Sequence, residues 1–192
     1  MSLSVGTSGN VSALVEESFL ITPSGTHNEE LKADDVIGMD PEGLVISGNH
    51  EPSSEWRFHR DIYINRIDVN AIIHIHSPYV TAISCARRPI PAFHYVVALV
   101  GDNSIPCADY ATFSTAELFK NILNVLGNSK ACLLANHGMI ALGIDLIPAF
   151  RMAQEVEMLA KQYWLNMQLD GPILLDDDEI RVNLEKIKTN GN

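Results

Sequence analysis

The sequence predicts a three-layer domain of the α/β or α+β kind, in which an antiparallel-leaning sheet is interleaved with helices. Three observations predict it. Short apolar stretches bounded by turn signals are interspersed with segments of helical periodicity along the whole chain. The 192 residues, 46% hydrophobic and 19% charged, suffice for one domain with a sizeable core. No internal repeat, linker or low-complexity segment divides the chain, so residues 1–192 are expected to form a single domain.

The elements follow in order. Gly6-Thr7-Ser8-Gly9-Asn10-Val11-Ser12 reads as a polar, glycine-rich loop with no element before it. Residues 19–22 read as a short strand ending in a turn at Pro23-Ser24-Gly25. Residues 36–40 and 43–47 read as a hairpin turned at Asp40-Pro41-Glu42-Gly43. Ser53 or Ser54 is a plausible N-cap for a helix over residues 56–64, with Phe58, Ile62 and Tyr63 on its apolar face. The apolar run from Val69 to His76 is a strand, and residues 78–84 form a short helix. Residues 90–100 are apolar throughout and fit either strand or helix. Ser114-Thr115-Ala116-Glu117 is a capping-box pattern opening a helix to about Leu126. Residues 130–137 read as a buried strand with residues 139–142 as its hairpin partner. The longest helix covers residues 146–168, where Pro148 is tolerated in the first turn. Asp176-Asp177-Asp178-Glu179 places negative charge at the start of a last helix, residues 180–187.

A net charge of −11 argues against a nucleic-acid or anionic-membrane surface. An anionic substrate would therefore be held locally, by backbone N–H groups and hydroxyls. Cys85, Cys107 and Cys132 form no C-x-x-C pair and are odd in number, so a disulfide framework is not expected. Each lies among apolar or small residues and reads as a small buried hydrophobe. A reducing cytoplasm is the default location. No apolar stretch reaches the ~18 residues of a membrane span, and no signal peptide is visible.

His74 and His76 stand two residues apart on the predicted strand, so both imidazoles project from one face while Ile73 and Ile75 point into a core on the other. Two adjacent buried imidazoles are costly without partners, and a divalent metal resolves that cost. His137, beside Gly138, can complete an open three-histidine site. Zinc suits three imidazoles, with nickel, cobalt or manganese as alternatives. Glu55 taken alone is a first-turn helix carboxylate; near a metal it becomes a candidate ligand or general base. Thr7-Ser8-Gly9-Asn10, Thr22-Pro23-Ser24-Gly25 and Ser53-Ser54 can present N–H and hydroxyl donors to an anion. Tyr95 reads most simply as a core aromatic, and His27, His50, His59 and His94 show no ligand spacing and read as surface or structural.

Taken together, several stretches resemble the class II aldolase/adducin family. They are the Gly6 to Ser12 loop, Ile21-Thr22-Pro23-Ser24-Gly25, Pro52-Ser53-Ser54-Glu55-Trp56-Arg57-Phe58-His59, His74-Ile75-His76, Pro91-Ala92-Phe93-His94-Tyr95, Asn103 to Phe113 and His137-Gly138. They come in family order and cover nearly the whole chain. The resemblance implies a three-layer α/β/α domain with a mainly antiparallel central sheet. It implies an aldolase that cleaves a ketose 1-phosphate, such as L-fuculose 1-phosphate, to dihydroxyacetone phosphate and an aldehyde such as lactaldehyde, by stabilising an enediolate. Zinc would be held by His74, His76 and His137, with Glu55 as a fourth ligand that leaves when substrate arrives and then serves as the base. Phosphate would lie against Gly9, Asn10, Ser24, Gly25, Ser53 and Ser54. Tyr95 would donate a proton to the aldehyde oxygen, from across a subunit boundary, because family members are homotetramers with shared active sites. The partners implied are a small phosphorylated sugar and further copies of the chain, with neither nucleic acid nor membrane.

Two departures accompany the resemblance. Family members carry a further segment, including an amphipathic helix, before the loop that begins at Gly6; its absence would expose apolar surface and loosen the Gly9-Asn10 part of the phosphate site. Asn190 stands where an aldehyde-selecting tyrosine is found in the family. Alternatives on the same fold are a ribulose-5-phosphate 4-epimerase, which would carry Asp at the Glu55 position, and a sugar-phosphate dehydratase. A non-catalytic adducin-like module would be expected to lack the metal histidines.

Overall fold

A computed structural model describes residues 3–189, so the expectation at Asn190 lies outside the described residues. Strands β1 (Asn10–Val15), β2 (Ser18–Ile21), β3 (Ile37–Met39) and β4 (Val45–Ser47) open the chain. Helix α1 (Trp56–Asn65), strand β5 (Ala71–Ile75) and helix α2 (Pro78–Cys85) follow. Then come three two-residue strands, β6 (Ile90–Pro91), β7 (Ser104–Ile105) and β8 (Cys107–Ala108), with a 3-10 helix over Tyr95–Val100 between the first two. Helix α3 (Ala116–Leu126), the hairpin β9 (Ala131–Leu134) and β10 (Gly138–Gly143), and helices α4 (Leu146–Asn166) and α5 (Asp177–Thr189) complete it.

Eight strands form one sheet in the order β4-β3-β2-β1-β5-β10-β9-β8. Every pairing is antiparallel except β8 with β9, so the expected three-layer α/β fold with a mainly antiparallel sheet is present. The alternation of β5 explains the layers. Ile73 and Ile75 pack with Val80 and Ile83 of α2 and with Ala149, Ala153 and Val156 of α4. Ile72 packs on the opposite face with Phe58 and Ile62 of α1 and Leu118 and Ile122 of α3. His74 shares the Ile72 face, and its ring meets Phe58 edge-on at 5.6 Å.

Several local expectations need correction. The stretch from Gly6 to Ser12 is not wholly loop: from Asn10 the chain is strand, paired to β2 and β5, because Asn10 and Ser12 turn polar side chains inward and so hide the alternation. Helix α1 is preceded by Glu55 rather than capped by Ser53 or Ser54, and no side chain caps it. The α3 cap is Thr115, whose hydroxyl accepts from Leu118 N, one residue later than the capping-box pattern indicated. Ser114 instead adopts a positive φ and donates its hydroxyl to Ser54. The ambiguous run at 90–100 is a short strand followed by the 3-10 helix. Cys132 is buried, but Cys107 is partly exposed and Cys85 exposed. Among the described residues, no helix is long and apolar enough to cross a membrane.

One buried carboxylate, Glu157, ties the segment that follows β5 to helix α4. Glu157 of α4 accepts from Ser77 Oγ (2.8 Å), Tyr79 N (3.1 Å) and Val80 N (2.9 Å), which satisfies the N-terminus of α2. Glu157→Ala leaves three donors without their acceptor and is expected to cost about 3 kcal/mol. A urea midpoint lowered at unchanged slope would register this; an unchanged midpoint would contradict it.

Candidate metal centre

Three histidines converge at one end of the sheet. His74 comes from β5, His76 stands one residue past its end, and His137 lies in the turn before β10. Their ligating nitrogens lie within 4.8 Å of one another. The Nε2 atoms of His74 and His76 are 2.9 Å apart, and the three ring centroids are separated by 4.7, 4.8 and 4.9 Å. His74 is fully buried, and its Nδ1 lies 2.9 Å from the Met139 carbonyl, which can accept only from an N–H. That contact places the proton on Nδ1 and leaves Nε2 with its lone pair, the atom that could ligate a metal. Gly138 permits the close approach: a Cβ there would stand 2.3 Å from the Ile75 carbonyl oxygen and 2.8 Å from His76 Cδ2.

Glu55 reaches the same cluster from the residue preceding α1. Its Oε2 lies 3.3 Å from His74 Nε2, and its Oε1 lies 3.5 Å from His137 Nε2. Asn10 Nδ2 donates to Oε2 at 3.0 Å. Oε1 is buried with no hydrogen-bond partner. An orphaned carboxylate oxygen facing imidazole nitrogens is the arrangement a divalent cation would satisfy, so the donor set fits a metal.

Burial holds these imidazoles neutral. The pKa of His74 is lowered to about 3, first by desolvation and then by His76. That of His137 is lowered to about 4, first by desolvation and then by His74. His76 is lowered as well, chiefly by desolvation. Neutral rings are the ligating form, so a metal entering at neutral pH need displace few protons. In the unfolded chain these histidines take up protons below about pH 6.5. Their lowered folded values mean that the native state is favoured fully above that pH. The advantage is lost progressively as pH falls from there toward the folded values. Metal-free protein is therefore expected to melt at lower temperature as pH drops below about 6.5, with a smaller loss in His137→Gln. Melting curves on chelated protein check this; equal pH slopes in the two proteins would contradict it.

His76 and His137 line a cleft of about 400 Å³, with His74 buried behind them. Gly9, Asn10, Ser24, Gly25, Ser53 and Ser54, the anion-binding candidates, all line it together with Glu55, His76 and His137. Backbone bonds explain how distant loops meet: Ser24 N donates to Glu51 O, Ser53 N to Thr22 O, and Val11 N to Thr22 Oγ1. Gly9 adopts a positive φ, and a Cβ there would stand 2.6 Å from the His74 carbonyl oxygen, so this loop can lie against β5 only with glycine.

Tyr95 is not in this cleft. It is 53% exposed, against the expectation of a core aromatic, and lines a separate groove with His94 and α5 residues. Tyr110, Phe113 and Asn136 line the cleft without having been singled out individually. Arg87 braces that rim, donating to Asn136 Oδ1 at 2.7 Å and lying over the Tyr110 ring. The positive φ of Asn136, seen only in the structure, is what turns His137 into the site.

Known proteins share both sequence and fold. The Class II Aldolase and Adducin N-terminal domain family matches residues 1–164. A 5-methylthioribulose-1-phosphate/5-deoxyribulose-1-phosphate aldolase of Rhodospirillum rubrum is 49% identical over 191 residues, covering 100% of this chain and 86% of that protein. An L-fuculose phosphate aldolase of Escherichia coli O157:H7 is 46% identical over 192 residues, covering 100% of this chain and 89% of that protein. A solved structure of an L-fuculose 1-phosphate aldolase superposes with a TM-score of 0.93 at 40% identity, covering 97% of this chain and 88% of that one.

Proposed function

The chain belongs to the class II aldolase and adducin family, and on that premise we propose that it is a metal-dependent aldolase cleaving a ketose 1-phosphate to dihydroxyacetone phosphate and an aldehyde. The observation that carries this reading is the Glu55 carboxylate set against a three-histidine cluster at a cleft lined with hydroxyl and glycine loops. An adducin-like module without catalysis has no need of that donor set. Zinc suits the three imidazoles, and a divalent ion there would act as a Lewis acid on the ketone and adjacent hydroxyl oxygens, where negative charge develops as the carbon–carbon bond breaks.

The residues divide the work. His74, His76 and His137 would hold the ion, with Glu55 as a fourth ligand. Gly9, Asn10, Ser24, Gly25, Ser53 and Ser54 bind the phosphate, orienting the reacting carbons by a group distant from them. Glu55, through the oxygen that has no hydrogen-bond partner, moves the proton at the carbon next to the ketone. Tyr95, exposed and remote from its own chain's cleft, serves a neighbouring subunit of a homotetramer: in cleavage it takes the proton from the hydroxyl that becomes the aldehyde oxygen, and in the reverse condensation it donates that proton back. The sugar is L-fuculose 1-phosphate or a close analogue; the two relatives above carry different sugars in their names, and 5-deoxyribulose 1-phosphate is the alternative to assay beside it. A cytoplasmic setting agrees with three unpaired cysteines.

The test is metal content and dihydroxyacetone phosphate release on one purified sample, with both sugars. Bound zinc with release from either sugar supports the reading. Stoichiometric zinc with no release from either would count against the aldolase and favour the epimerase or dehydratase.

A further inference from the structure

We propose that His59 is a positioning residue for Glu55, acting through the Asn10 carboxamide. A one-way chain of hydrogen bonds from Tyr63 through Ser12, His59 and Asn10 ends on the Glu55 carboxylate. The inference rests on the reading of Glu55 as ligand and base.

The two elements that build the chain do so by their periods. Helix α1 and the residue before it present Glu55, His59 and Tyr63 at four-residue spacing, on one helix face. Strand β1 presents Asn10 and Ser12 at two-residue spacing, on one strand face. The two faces interlock. Asn10 Nδ2 is 3.0 Å from Glu55 Oε2, and Asn10 Oδ1 is 2.6 Å from His59 Nε2. Ser12 Oγ is 2.6 Å from His59 Nδ1 and 2.6 Å from Tyr63 Oη.

The direction of every bond follows from the carboxylate. An ionised carboxylate only accepts, so the Asn10 amide must donate to it and must turn its carbonyl to His59. His59 Nε2 therefore carries the proton. The ring is fully buried and stacked on Phe58 at 4.3 Å, and burial holds it neutral, so Nδ1 accepts from the Ser12 hydroxyl. Ser12 in turn accepts from Tyr63, whose phenol burial keeps protonated. Each donor points toward Glu55, and bonds aligned in this way polarise one another.

The consequence is a carboxylate with two unlike oxygens. Oε2 is tied to the chain, while Oε1 has no partner and faces His137. Without the His59 donor, the Asn10 carbonyl loses its partner, the carboxamide is no longer held in place, and the anchor on Glu55 Oε2 loosens. His59 is neither one of the three clustered histidines nor a lining residue of the cleft, and it reaches the site through Asn10, which lines the cleft.

The test compares His59→Leu, His59→Gln and Ser12→Ala with Glu55→Gln as reference. The readouts are the visible spectrum of the cobalt(II)-substituted protein, the separate values of kcat and KM, and the melting temperature. His59→Leu is expected to move the cobalt spectrum toward that of Glu55→Gln and to lower kcat by about tenfold or more. His59→Gln, which can place an amide donor at the Nε2 position, is expected to restore both. Ser12→Ala is expected to shift the spectrum in the same direction by less, and it decides the matter if His59→Leu does not fold. A wild-type spectrum in His59→Leu or Ser12→Ala, beside an altered one in Glu55→Gln, would overturn the inference alone. So would a His59→Gln protein that behaves as His59→Leu. A Glu55→Gln protein with wild-type spectrum and turnover would overturn the underlying reading of Glu55, and this inference with it.

Discussion

Glu55→Gln is expected to lower turnover by about 1,000-fold while leaving the fold intact, the largest functional effect of any single substitution here. Glutamine keeps the size of the side chain and can still accept from Asn10 through its amide oxygen. What it loses is the second negative oxygen, the one that faces His137 with no partner. A carboxamide neither removes a proton nor supplies a charged ligand. The melting temperature should change little, because Glu55 stands before α1 rather than within a packed layer. Turnover assays beside thermal melts check this. Activity within a few-fold of wild type would remove Glu55 from the role of base.

His76→Ala is expected to lower metal affinity by more than 100-fold, beyond the effect of losing an outer partner of a ligand. The three nitrogens depend on one another geometrically, and two imidazoles hold an open site poorly. His76 is only partly buried: it lies past the end of β5, and its loss opens onto the cleft rather than into either core layer. The variant should thus fold and melt much as the metal-free wild type does. Metal analysis after dialysis against a weak chelator gives the result directly. Full stoichiometric metal in His76→Ala would contradict the three-histidine site.

Much of this was legible from spacing. The pair His74 and His76 identified both the strand and its two faces, because a period of two leaves no freedom once Ile73 and Ile75 are assigned to a core. All five helices were legible within a few residues, α1 from its apolar face and α3 from the capping pattern at Ser114 to Glu117. Much of what was not legible comes from polar side chains turned inward. Asn10 and Ser12 made β1 look like loop, since an alternation of apolar and polar residues cannot be seen when the inward positions are polar too. Tyr63 counted as apolar although its hydroxyl ends a buried network, and His59 passed as structural when its partners lie on another element. Strands β6, β7 and β8 are two residues each, too short to show any period. The cleft rim was hidden because the positive φ of Asn136 and the brace from Arg87 are tertiary facts. Tyr95 shows the converse, an apolar setting in sequence around a side chain that the fold leaves at the surface.

The central claim is that Glu55, beside a metal on three histidines, moves a proton at the carbon next to a phosphorylated ketone. The most direct measurement is deuterium uptake from heavy water into dihydroxyacetone phosphate, read by mass spectrometry with no aldehyde present. This isolates the proton step from the carbon–carbon bond and from Tyr95. Metal-loaded wild-type protein is predicted to incorporate one deuterium at that carbon, while the chelated protein and Glu55→Gln incorporate none above the uncatalysed rate. No incorporation by the metal-loaded protein, or equal incorporation by Glu55→Gln, would contradict the account.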